Sequence, residues 1–372
     1  MLFWYNKQEH GYFFKFMFQN ILSLAKRFIS IKSTANNRKA LWVILDLAAA
    51  QLGEYTIEKF ERNGVRSVLI YNKKNRPKKF KIILNGHLDV IPGKEYQYKP
   101  KVKNNRLYGA GSMDMKANIA CLITAFKEIA GKVSYPLGLQ LVTDEQVGGF
   151  DGTKYQIEKG VKSDFIIAGE PTNFDIVNQA KGVLQAKVLV RGKTAHGAYP
   201  WRGDNAIWKM SKFLNILQKK YPIPKDEVWA TTVNLSKIKT TNQAFNKIPD
   251  DCIAWLDIRF IPKEAEIIEK NIKKLLPKGF RFDVVVNEPA LLTDKNNEFI
   301  KLLKNATQHV IGKNIRLRGA HGTSDARHFA SVNCPGIEFG PIGGGIGSDH
   351  EWIDIPSLNN YYQILKIFLL SL

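Results

Sequence analysis

An α/β fold interrupted by a smaller α+β insert is what this 372-residue sequence predicts, from three observations. Candidate strands and helices alternate through the first half. The texture changes near Lys181 to a compact run of two helices and three or four strands, and the alternation resumes near residue 293. Such alternation argues for a mixed, mostly parallel sheet flanked by helices. The domain boundaries that follow are 17–180 and 293–372 for the α/β part and 181–292 for the insert.

Residues 1–16 read as an extension, because Met17 begins a better helix that runs through Phe18 and Ile21 to Ala25. Lys81–Leu84 is a short apolar run, and therefore a buried strand, ending in His87-Leu88-Asp89. A helix over Ala117–Ile129, a strand over Leu137–Val142, a helix over Thr153–Glu158 and a strand over Phe165–Ala168 follow. In the insert, Gly182–Arg191 alternates as a half-exposed strand and Asn205–Lys219 is an amphipathic helix. Cys252–Phe260 and Phe280–Val286 read as strands, with a helix over Glu264–Leu276 between them. Beyond it, Asn297–Ile311 is helical, Asn314–Arg318 is extended and Ile337–Phe339 is a short strand. Pro356 opens a last helix at the first helical position, where proline is favoured.

Composition narrows the class. A hydrophobic content of 44% supplies a sizeable core. No apolar stretch is long enough to cross a membrane, and the N-terminus lacks the basic, apolar, small-residue order of a signal peptide. The three cysteines lie far apart with no Cys-x-x-Cys, which suits a reducing cytoplasm. The net charge of +21 comes from lysines spread along the chain without a nucleic-acid motif. That spread argues against a specific nucleic-acid partner and is compatible with steering anionic small substrates inward.

Five acid or histidine positions fall at strand ends or glycine turns: His87, Asp114, Glu145, Glu170 and His350. Open α/β sheets place ligands beyond the carboxyl ends of their strands. Two imidazoles with several carboxylates are a ligand set for one or two zinc ions that activate water. Each residue alone has an ordinary explanation, such as a helix cap for Asp114 or a solvated turn for Glu170. Their joint placement points to a metal site.

The motifs His87-Leu88-Asp89, Gly111-Ser112-Met113-Asp114-Met115-Lys116, Asp144-Glu145-Gln146, Gly169-Glu170-Pro171-Thr172, Thr194-Ala195-His196, Asp257-Ile258-Arg259 and Gly322-Thr323-Ser324-Asp325-Ala326-Arg327, with the late His350, carry a resemblance. From about Met17 onward the chain resembles the co-catalytic zinc hydrolases that include succinyl-diaminopimelate desuccinylase, acetylornithine deacetylase, aminoacylase and related di- and carboxypeptidases. The resemblance implies that the insert is a dimerisation or lid domain of a homodimer. It implies that His87 and Glu170 bind one zinc, that Asp114 bridges two, and that His350 and Gln146 serve the second; cobalt or manganese could substitute. Asp89 would orient His87, Glu145 would be the general base, and His196 would steady the oxyanion from the other subunit. Arg259, Arg327 and Asn246 would bind a substrate with a free carboxylate.

One departure stands out. The family's second-metal ligand beside the base is a glutamate, and this chain has Gln146. A neutral amide gives up one negative charge, so the second ion should be looser or missing. The resulting expectation is hydrolysis of an amide bond in a small N-acyl amino acid, with an N-succinyl- or N-acetyl-diamino-acid deacylase first and a di-, tri- or carboxypeptidase second. A rival of another class is a non-catalytic dimeric binding protein with a degraded metal site.

Overall fold

A computed structural model describes residues 19–372. The readings of residues 1–16 as an extension and of Met17 as a helix start lie outside the described residues. The chain divides into two units, one comprising the residues up to Asn178, Thr293–Arg318 and Ser324–Leu372, the other Gln179–Leu292 with Gly319–Thr323.

In the first unit a mixed sheet runs in the order Thr56–Arg62, Val65–Tyr71, Leu137–Val142, Phe80–His87, Ser163–Ala168, Gly336–Glu338 and Ile176–Ala180. Phe80–His87 pairs in parallel with both Leu137–Val142 and Ser163–Ala168, and Gly336–Glu338 continues the parallel set. These central strands are buried almost throughout, as parallel strands covered on both faces must be. Their common direction brings the residues after Leu84, Val142 and Ala168 to one edge.

Helix Lys116–Ile129 packs against Ile355–Leu370, which also meets Glu298–Ile311. The first is apolar nearly all round, which marks a core helix rather than a surface one. Phe126, Phe165 and Phe368 are fully buried in this core, and each such side chain contributes about 1.5–3 kcal/mol. A small second sheet of Lys101–Lys103, Arg106–Tyr108, Trp352–Asp354 and Gly343–Gly344 sets the approach to Glu351.

The second unit is a four-stranded antiparallel sheet in the order Thr232–Lys239, Asp251–Phe260, Gly182–Arg191, Phe280–Glu288. The two central strands alternate between buried and half-buried residues, and Ala206–Lys220 and Ile268–Lys274 add Met210, Phe213, Leu217 and Ile272 to a separate core.

The α/β class with an α+β insert is the observed architecture. Several elements differ in detail. The Thr153–Glu158 helix begins only at Tyr155, because the N–H groups of Asp151 and Gly152 are taken by the Asp144 carboxylate and Phe150–Lys154 widens into a π-turn. The Glu264–Leu276 helix shrinks to Ile268–Lys274 after the Pro262–Glu264 turn. Asp354 caps the last helix, so Ile355 is its first residue and Pro356 its second. Unread in the sequence was the hairpin Thr56–Arg62 and Val65–Tyr71, whose Asn63-Gly64 turn has both φ positive (53° and 78°), the signature of a tight two-residue connection. No helix among the described residues is long and apolar enough to cross a membrane.

Candidate active site

His87 ends the central parallel strand and is 1% exposed. Its Nδ1 lies 3.0 Å from the Asp89 carbonyl oxygen, and its Nε2 lies 3.0 Å from Asp114 Oδ1, 3.7 Å from Glu170 Oε1 and 3.8 Å from Glu145 Oε2. His87, Asp114 and Glu170 each place a donor atom within 4.8 Å of the others.

Asp114 stands in a loop that folds back before helix Lys116–Ile129, whose N-cap is Met115 rather than Asp114. Gly111 makes this turn at φ +79°, where an added Cβ would lie 2.6 Å from Val90. The loop is fixed by Glu351, whose buried carboxylate accepts the N–H groups of Gly111, Met113 and Asp114 at 3.1, 2.8 and 3.0 Å.

Glu145 and Gln146 sit on a short 3₁₀ turn after Leu137–Val142. Asp89 grips its start: the carboxylate accepts from Glu145 N at 3.2 Å and Gln146 N at 2.8 Å. Arg327 and His328 grip its end, both hydrogen-bonding the Gly148 carbonyl, at 2.6 and 2.9 Å. Gln146 Nε2 donates to Asp114 Oδ2 at 3.0 Å. Glu170 follows Ser163–Ala168, and Asn118 Nδ2 donates to the preceding Gly169 carbonyl at 2.6 Å.

The electrostatics ask for a cation. Burial opposes a charge on His87, yet Asp114, Asp89 and Glu170 together raise its pKa well above the ordinary imidazole value. Burial pushes Asp114 up, but the His87 imidazolium and hydrogen bonds from neighbours including Gln146 bring it below the usual carboxylate value. Burial raises Glu170 strongly, with Asp114 and Glu145 adding to it against His87. Glu145 is pushed up to about 8, first by burial and then by Asp325, Asp114 and Asp89, with His87 opposing.

Of the other sequence-expected residues, Gln146, Asp89 and Arg327 adjoin the cluster or its Glu145 turn, whereas His350, His196 and Arg259 stand outside it. His350 is exposed, in a turn before strand Trp352–Asp354, and outside the cluster, whereas its neighbour Glu351 is buried. Arg327 is buried and donates to the Ser324 and Gly148 carbonyls, which holds the end of the Glu145 turn. Gln146 presents its N–H, not its oxygen, to the cluster. Asp89 meets His87 through its carbonyl more closely than through its carboxylate, at 3.0 against 3.5 Å. In the second unit His196 is exposed, with Gly197 N donating to the Asn246 carbonyl at 2.7 Å beside it. Arg259 pairs with Asp257 at 3.1 Å at the edge of a cavity of about 450 Å³. Sequence reasoning passed over Glu351, His328 and Asn118. Their contribution is to backbone groups, which no side-chain pattern advertises; an acid directly before the apolar Trp352-Ile353 was the one signal for Glu351.

Parallel strand ends that deliver a histidine and two carboxylates to one point, with a raised glutamate beside them, define the class of metal-dependent amidohydrolases. The chain belongs to the peptidase family M20/M25/M40, whose model matches residues 83–371. It is 30% identical to the succinyl-diaminopimelate desuccinylase of Pelagibacter ubique, over 76% of this chain and 81% of that protein. It is 26% identical to the enzyme of the same name from Hydrogenovibrio crunogenus, over 94% and 98%. Among solved structures, aminopeptidase PepT from Bacillus cereus superposes with a TM-score of 0.78 at 18% identity, covering 95% of this chain and 98% of that one. The YXEP protein of Bacillus subtilis, described as a dinuclear metal-binding peptidase, gives 0.72 at 13% identity, covering 96% and 99%.

Proposed function

We propose that the chain hydrolyses the amide bond of a small N-acyl amino acid bearing a free carboxylate, using a divalent metal ion held by His87, Asp114 and Glu170. The observation that carries this reading is the meeting of those three donors within 4.8 Å, with Glu145 Oε2 3.8 Å from His87 Nε2. The residues fit a cation: one imidazole and two carboxylates converge where the protein's own field already favours positive charge on His87. A bound divalent ion supplies Lewis acidity to the scissile carbonyl and to the attacking water. Zinc suits this mixed nitrogen and oxygen set, and cobalt or manganese would be accepted by it.

The chain's own residues do the rest. Glu145 takes the proton from the attacking water at its carboxylate and returns it to the leaving amine. Asp89 holds the turn that carries Glu145 by accepting two of its N–H groups. Asn118 and Glu351 fix the backbones that bear Glu170 and Asp114. His196 is the candidate for steadying the oxyanion from the other subunit of a dimer, and Arg259 and Asn246 are candidates for binding the substrate carboxylate. Cytoplasmic residence fits the three buried free cysteines.

The curated relatives favour an N-succinyl- or N-acetyl-diamino-acid substrate. The fold shared with a PepT aminopeptidase keeps a di- or tripeptide as the second reading. A panel of succinyl-diaminopimelate, acetylornithine, acetyl-lysine and simple dipeptides, assayed with zinc, cobalt or manganese and again after chelation, separates these. Turnover should vanish on chelation, and Glu145→Gln should cost about 10²–10⁴ in rate while the metal stays bound. A metal-loaded protein inert on the whole panel would favour the binding-protein alternative.

A further inference from the structure

The two oxygens of Asp114 are used differently. Oδ1 lies 3.0 Å from His87 Nε2, on the side shared with Glu170. Oδ2 accepts the Gln146 Nε2–H at 3.0 Å. A carboxylate that bridges two cations must offer one oxygen to each. Here the second oxygen already has a partner, and that partner is a neutral donor carrying a partial positive charge.

Asp349 lines a cavity together with Asp114, but its carboxylate is paired with Lys94. His350 is exposed on the outer side of its loop. The Glu351 carboxylate is committed to three backbone N–H groups. Among the described residues, the group of three or more acid, histidine or cysteine side chains that could hold a metal is His87, Asp114 and Glu170.

We infer that this centre holds one divalent cation per chain, with the Gln146 amide occupying the face of Asp114 that a second ion would need. The inference rests on the metallohydrolase reading above and deepens it. Three protein donors with an open position are a sufficient catalytic zinc arrangement. Gln146 acts on the ion only through Asp114, as a positioning residue: it satisfies Oδ2 and leaves Oδ1 to the metal.

Stoichiometry tests this directly. Full-length protein is stripped with chelator, reloaded with excess zinc, gel-filtered and analysed for zinc per folded chain. In parallel, manganese-loaded protein is examined by electron paramagnetic resonance. Wild type should hold one zinc per chain and show an uncoupled six-line manganese signal. Two zincs per chain, or a spin-coupled manganese pair, would overturn the inference while leaving the metallohydrolase reading intact. Gln146→Leu should still hold one zinc, and loss of that zinc in a folded variant would show that Gln146 is a ligand, which also overturns it. Gln146→Glu restores a carboxylate and should add a second, weaker binding event in a calorimetric titration. His87→Ala should hold none. A wild type that binds no zinc, or a His87→Ala chain that binds as much as wild type, would instead sink the functional reading itself.

Discussion

Two glycine-bearing loops of this chain look alike in sequence and behave oppositely in the fold. Tyr108–Lys116 and Gly343–His350 each place a would-be metal ligand beside glycines. The first is buried, and three of its N–H groups end on one carboxylate. The second is largely exposed, with Gly345 and Gly347 at φ +70° and +68°. Glycine permitted both outcomes. What separates them is an anion brought from far away in sequence, and that anion is Glu351, the residue directly after the second loop. The exposed loop thus delivers the group that orders the buried one.

The largest expected effect breaks this dependence. Glu351→Ala leaves three buried N–H groups without their acceptor, at about 1–3 kcal/mol each. Denaturant unfolding should show a loss above about 3 kcal/mol, and zinc affinity should fall with it because Asp114 is no longer held. Glu351→Gln keeps one acceptor oxygen and should lose less. A Glu351→Ala protein of normal stability would mean that the Asp114 loop orders itself.

The Glu145 turn offers a second gripped loop, and pH reads its clamp. Burial, with Arg327 adding, lowers the His328 pKa to about 3, so the ring stays neutral when folded. The unfolded chain takes up that proton below about 6.5. The unfolded state therefore binds more protons between those values, and His328 stability is present above pH 6.5 and lost as pH falls toward 3. From pH 7 to pH 5 the loss is about 2 kcal/mol. His328→Asn should be less stable at pH 7 and should flatten that part of the acid profile. An unchanged slope would show that His328 is not what acid attacks.

Much of the fold was legible because burial writes itself into strands. Parallel strands covered on both faces are continuous apolar runs, so Lys81–Leu84 and Leu137–Val142 stood out, and the polar residues closing them marked one edge of the sheet. The insert was legible for the opposite reason: Gly182–Arg191 alternates because only one face is covered. Three features escaped. His350 is exposed while its neighbour Glu351 is buried, and residue type does not encode which of the two faces in. Arg327 was read for its charge, and nothing in its residue type shows that it also donates to the Ser324 and Gly148 carbonyls. Gln146 was read as an oxygen ligand, and only its distance to Asp114 shows which end of the amide matters.

A matched pair of glycine substitutions sharpens the contrast between the loops. Both positions have positive φ, which costs an alanine about 1–2 kcal/mol. Gly111→Ala adds contacts of 2.6 Å to Val90 and 2.9 Å to Lys116 in a buried place, whereas Gly347→Ala meets only Ile91, at 3.1 Å. Gly111→Ala should therefore be less stable than Gly347→Ala by about 1–2 kcal/mol in parallel urea titrations. Equal losses would mean that backbone strain alone governs both.

His350→Ala should have the smallest effect. The side chain is exposed, its loop is held through the Ser348 and Gly345 backbone and hydroxyl bonds rather than through the ring, and the cluster of His87, Asp114 and Glu170 does not include it. Surface substitutions of this kind change stability by less than about 0.5 kcal/mol. Zinc content and unfolding midpoint should match wild type, and turnover should stay within a few-fold. A variant that folds normally yet loses zinc would show that this loop swings inward when metal is present. The difference between the two loops would then be one of occupancy, and Glu351 would serve as the hinge between them.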